Sequence, residues 1–103
     1  MSVGDVWWAH LRLALLRTLA ADPGCASNES LLTDEARAVG IQATRDQVRA
    51  GLAWLAEQGL VTVQSPELGS GRALMVATMT ARGLDVSEGR AGVPGVARPL
   101  PRG

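Results

Sequence analysis

Apolar residues in the first quarter of the chain recur at helical spacing. Trp8, Leu11, Leu15 and Leu19 stand three and four residues apart, which predicts a helix from near Asp5 to about Ala21, stopped by Asp22-Pro23-Gly24. Val6 and Leu13 fall on the opposite side of that helix, so its apolar surface is wider than one buried stripe requires. Two explanations stand open: a dimer contact through this helix, or burial beneath another part of the same chain. A second helix is expected from the Ser27-Asn28 cap region to about Val39. It directs Leu31, Leu32, Ala36 and Val39 inward, with Glu29, Asp34 and Glu35 near its start or outside, and Gly40 closes it. After the short Ile41-Gln42-Ala43 turn, Thr44-Arg45-Asp46-Gln47 has the form of a capping box. A third helix starts there, carries Val48, Leu52 and Leu55 on one face, and ends at Gln58-Gly59.

Past Gly59 the period drops from about 3.6 residues to about 2. Leu60 to Gln64 reads as a strand rich in β-branched residues, SPELGSG (65–71) as turn chemistry, and ALMVATM (73–79) as a returning strand. Residues 60–79 are therefore expected to form a β-hairpin whose glycine-rich tip bears Arg72. Thr80 caps a last short helix from Ala81 to about Glu88. The remainder, GRAGVPGVARPLPRG, has three prolines and few apolar anchors. The expected organisation is one domain over 1–89 and a flexible tail over 90–103.

Composition narrows the function classes. A chain of 103 residues accommodates one domain with one modest core, and no apolar run approaches the roughly 18 residues of a membrane span. No basic leader followed by an apolar block opens the chain, so the expected location is the cytoplasm. Cys25 is the single cysteine, which leaves no intrachain disulfide and no thiolate cluster. His10 and Cys25 belong to separate expected elements, and no nucleophile elbow, phosphate-cradling loop or metal spacing is present. The chain is expected to be no enzyme, with no cofactor, no metal and no small-molecule substrate.

Net charge is formally zero, but its distribution is uneven. Residues 1–68 hold five Arg against eight acids, and residues 69–103 hold five Arg against two acids. All ten basic residues are Arg, the side chain suited to planar contact with phosphate or guanine, although an Ala-, Gly- and Arg-rich composition without Lys also fits a GC-rich coding sequence.

The order helix, helix, turn, helix, strand, glycine-rich hairpin, strand, helix is that of a winged helix-turn-helix, a mainly α fold with a small β-hairpin (α+β). LAWLAEQGLVTV (52–63) resembles the end of the recognition helix and first wing strand of many bacterial winged-helix regulators. MTARG (79–83) is similar to the segment that leads from wing to last helix in MarR-like and PadR-like proteins. More specifically, LRLALLRTLA, NESLL, TRDQVRAGLAWLAEQGLVTV and MTARGLDVSEGRAGVPGVARP resemble a family of small winged-helix proteins of Mu-like phages and prophages, over about residues 10–99. That resemblance implies a phage or prophage origin and a DNA-binding type of fold, with no settled target site and no established catalytic chemistry.

On this reading the third helix presents its N-terminal half to the major groove of double-stranded DNA. Arg49 is the first candidate contact, Arg45 the second and Gln47 the third, while Thr44 serves chiefly as the helix cap. Arg72 on the wing is a candidate for the minor groove or the backbone. Asp46, Arg49, Ala50 and Ala53 are placed most outward. Arg82 and the tail's Arg90, Arg98 and Arg102 offer sequence-independent attraction to phosphate, the tail residues being read as solvated charges. Trp54, a lone aromatic beside a core stripe, is read as packing rather than a base-stacking platform, and Trp7 and Trp8 as anchors of the first helix. The leading function is therefore a phage DNA-binding regulator or accessory factor, possible as a homodimer through the first helix. The alternative is an interaction or assembly module that keeps the fold without binding DNA, favoured by neutral net charge, the acidic second helix, Asp46 and the two alanines.

Overall fold

A computed structural model describes residues 2–65 and 74–99 of the chain. Its elements are α1 (Val3–Ala21), β1 (Ala26–Asn28), α2 (Glu29–Ala38), α3 (Arg45–Glu57), β2 (Val61–Gln64), β3 (Val76–Met79) and α4 (Ala81–Ser87). Together they make an α+β domain in which four helices pack with a three-stranded antiparallel sheet of order β1-β3-β2.

Local chemistry accounts for most boundaries. Ser2 and Asp5 form a capping box at the start of α1, two residues earlier than the spacing predicts, and Asn28 caps α2 by accepting the Leu31 N–H at 2.9 Å. The Thr44/Gln47 capping box opens α3 as expected, with the Thr44 N–H donating to Gln47 Oε1 at 2.9 Å and the Gln47 N–H to Thr44 Oγ1 at 3.1 Å. Gly40 and Gly59, at φ 90° and 73°, supply the left-handed residues that end α2 and α3.

The core lies where α1, α2 and α3 converge on the sheet. Leu11, Leu15, Leu16 and Leu19 of α1 meet Leu32 and Ala36 of α2, Val48, Leu52 and Leu55 of α3, and Leu60, Val61 and Ala77 beside and within the sheet. The inward face predicted for α3 is the observed one. The face predicted for α2 is half right. Leu31 and Val39 are 47% and 66% exposed, whereas Glu29, expected near the helix start or outside, does stand at the start but is only 1% exposed. The short strand β1 places the first residue of α2 against the sheet, where the Glu29 N–H donates to Met75 O at 2.8 Å, and this rotates the helix so that Glu29, Leu32, Thr33 and Ala36 face inward. The strand itself went unread because three residues, one of them the Asn28 cap, carry no detectable alternation.

The two strands of the expected hairpin pair from Val61↔Met79 to Gln64↔Val76. Residues 66–73, which include the expected tip and Arg72, lie outside the described residues, as do 100–103. Beyond α4, composition suggests a flexible tail from residue 90, yet residues 91–97 lie against α1. Val93 and Val96 are buried, the Ala97 N–H donates to Ala9 O at 3.1 Å, and Arg12 Nη1 donates to Gly95 O at 3.0 Å. Two valines and a helix-borne arginine suffice to anchor a strap whose prolines and glycines suggest none. Deleting residues 90–103 is expected to lower stability by about 1–2 kcal/mol, two buried valines offset by the entropy of ordering the strap, and to red-shift the tryptophan emission. An unchanged emission maximum would show that the strap does not shield Trp54.

Gly95 explains the fit. At φ 98° its position tolerates few side chains, and a Cβ there would stand 2.6 and 2.8 Å from the Trp54 ring. Trp54, Arg12 and Trp8 form a stack, with the guanidinium carbon 4.0 Å from the Trp54 centroid and 5.7 Å from that of Trp8. Burial lowers the Arg12 pKa, and the charge of Asp5 partly counters this. Trp54 is thus a packing residue, as its setting in the sequence suggests.

Candidate nucleic-acid interface

The α2–turn–α3 unit holds four of the five predicted site residues, and contacts within the chain already engage each of them, local for Thr44 and Gln47 and tertiary for Arg45 and Arg49. Thr44 and Gln47 spend their side-chain oxygens on the capping box. Arg45 reaches back from the first turn of α3 to α2, where Nη2 donates to Ser30 Oγ at 3.1 Å. Arg49, one turn further on, pairs through Nε with Glu29 Oε2. Arg72, the fifth, lies outside the described residues.

The sequence places Arg49 among the most outward residues of α3, and here the structure corrects it. The outward face consists of Asp46, Ala50, Ala53 and Glu57, all exposed. Arg45 and Arg49 occupy the flank toward α2, and Gln47 and Trp54 the flank toward α1 and the C-terminal strap. The cause is Glu29. A carboxylate removed from water needs a cation, and Arg49 is the one that pairs with it, while Arg45 goes to the neighbouring Ser30. The Glu29 backbone is fixed as well, since Thr33 Oγ1 donates to its carbonyl at 2.6 Å. Sequence reading missed Glu29 because an acid in the first turn of a helix normally serves the helix dipole from the surface.

The resulting site has two guanidinium groups side by side along the α2–α3 seam, each held by one bond to α2. Arg49 keeps 41% of its side chain exposed and, with one nitrogen bound to Glu29, has further N–H groups to offer a ligand; Arg45 is exposed. Arg37 closes the turn below them, donating from Nε to Ala43 O at 3.0 Å. Arg82 stands exposed in the first turn of α4, while Arg90 is neutralised by Asp85 and Glu88, each at 2.8 Å.

Elsewhere, α1 and the C-terminal half of α2 flank an open groove of about 630 Å³ with Leu13, Ala14, Val39 and Ile41 among its lining. Burial, with repulsion from Asp22 added, pushes the Glu35 carboxyl at its margin above the usual range. Among the described residues no group of three or more His, Cys, Asp or Glu is placed to hold a metal ion, and no helix is long and apolar enough to cross a membrane.

No protein-family model matches the chain. It is 46% identical over 100 residues to an uncharacterized protein, gp26, of Escherichia phage Mu, an alignment covering 97% of this chain and 98% of that protein. It is also 40% identical over 87 residues to an uncharacterized protein of Haemophilus influenzae, covering 84% of this chain and 80% of the relative.

Proposed function

From the premise that the chain belongs to the family of the phage Mu protein gp26, we propose that it is a winged-helix protein that binds double-stranded DNA through the α2–turn–α3 unit, as a regulator or accessory factor of a phage or prophage. The observation that carries this reading is the pair Arg45 and Arg49, set along one flank of the N-terminal half of α3 and braced from α2 by Ser30 and Glu29. The element order and the β1-β3-β2 sheet support the winged-helix part of it.

The division of labour differs from the one read in the sequence. Thr44 and Gln47 build the helix start. Arg45 and Arg49 meet backbone phosphates, because they lie on a flank, and the outward face that would enter a groove offers two acids and two alanines instead of base-reading donors. Binding on this account is dominated by phosphate, is weakly sequence-specific through α3, and involves a binding role rather than a catalytic one.

The test is fluorescence anisotropy of labelled duplexes, random and native to the phage or prophage, across a salt series. Arg45→Ala is expected to weaken binding to both duplexes alike and to flatten the slope of log K against log salt by about one unit, the share of one phosphate contact. Absence of binding at low salt would sink the DNA reading. The outward face Asp46, Ala50, Ala53 and Glu57 specifically favours the second reading, an assembly module that docks another protein on α3, and that outcome would promote it.

A further inference from the structure

We infer that the groove between α1 and α2 is the docking site for α1 of a second copy of this chain. Besides the core stripe, α1 carries a second row, Val3, Val6, His10, Leu13 and Arg17, spaced 3-4-3-4 as in a helix–helix seam. The two ends of this row differ. At the N-terminal end Val3 and Val6 are 88% and 41% exposed. From His10 onward the same row lines the groove, whose far wall includes Val39 and Ile41. One face therefore holds a projecting apolar ridge and an apolar recess, the self-complementary layout that a two-fold contact needs.

An antiparallel pairing of the two α1 helices about His10 seats Val6 of each copy beside Ala14 of the other, where the small side chain leaves the recess open. Charge agrees with this direction. The pairing brings the N-terminal end of each α1, positive by its dipole although Asp5 caps it, to the C-terminal end of its mate, where Asp22 and Glu35 outnumber Arg17 and neither acid has an ion-pair partner among the described residues. Net charge of zero lets two copies approach without repulsion. In extent, a 19-residue helix of about 28 Å with part of α2 beside it offers on the order of 500 Å² per copy. That sits at the lower bound for a specific interface and fits a dimer that dissociates in the micromolar range. The first helix of the sequence thus serves both explanations left open for its wide apolar surface, Leu13 being buried within the chain and Val6 left for a partner.

Sedimentation equilibrium and native mass spectrometry of the full chain, without DNA, test this independently of the DNA reading. The expected result is a concentration-dependent dimer at twice the chain mass of 10.7 kDa. Val6→Asp and Glu35→Lys should each raise the dissociation constant at least tenfold while leaving the far-UV circular dichroism unchanged, since both side chains stand at the rim. A monomer at 100 micromolar overturns the proposal. So does a dimer indifferent to both substitutions, or a monomer carrying a bound small molecule in place of a second copy.

Discussion

Arg49→Ala is expected to destabilise the fold by about 3 kcal/mol, before any question of ligand binding arises. The substitution leaves the Glu29 carboxylate, 1% exposed, without its cation. Removing one member of a buried ion pair costs roughly 3–5 kcal/mol, and because water reaches the Arg49 side of this pair, the low end applies. In a domain of this size that corresponds to a fall in melting temperature of about 12 °C or more. The control is the double variant Glu29→Leu with Arg49→Met, which removes both charges at similar volume and is expected to stay near the wild type, since an apolar pair has no desolvation penalty. Thermal unfolding followed by circular dichroism reads both. An Arg49→Ala protein that melts with the wild type would mean that solvent, and not Arg49, satisfies Glu29. The consequence for binding studies is direct: lost DNA affinity in Arg49→Ala conflates contact with folding. Arg45→Ala and Arg49→Lys are the cleaner probes, the latter keeping the charge while losing the planar fork.

Gly83→Ala is expected to cost about as much, by overpacking. A Cβ on Gly83 would overlap Leu60 O and stand 2.9 Å from Met79 Cγ and 3.0 Å from the Leu60 carbonyl carbon. Two of these three atoms are backbone, so α4 itself has to shift. Moving it disturbs Thr80, whose hydroxyl accepts the Gly83 N–H at 3.1 Å and lies 2.8 and 3.0 Å from the carbonyls of Gly59 and Leu60. It also lifts Val86 from the core. Alanine gains about 1 kcal/mol of helix propensity over glycine, which is smaller than the expected steric loss of about 3 kcal/mol. Arg82→Ala, one residue away and exposed, is the neutral reference. Equal melting temperatures for the two variants would refute the close approach.

This geometry gives a physical meaning to a short stretch of sequence. In Met79-Thr80-Ala81-Arg82-Gly83 the threonine caps α4 and ties it to the end of α3, and the glycine lets the helix lie on the Leu60 carbonyl.

What the sequence determined by itself is local. The three long helices, the capping pair Thr44 and Gln47, the left-handed glycines at 40 and 59, the two strands flanking 66–73 and the Thr80 cap all follow from spacing and cap chemistry within a few residues of each other. Each depends on interactions that a short window contains. The tertiary structure decided where α2 points, and through that the state of the candidate site. Strand β1 pairs with β3 about fifty residues away, from Ala26↔Thr78 to Asn28↔Val76, and that pairing turns Glu29 inward and Leu31 and Val39 outward. Arg49 follows Glu29 to the flank, and the outward face passes to Asp46, Ala50, Ala53 and Glu57. The strap over Trp54 has the same origin, since Val93 and Val96 find their burial on α1, more than seventy residues earlier in the chain. No periodicity encodes such contacts, because the partner that makes a residue buried or paired is absent from its own neighbourhood in the sequence.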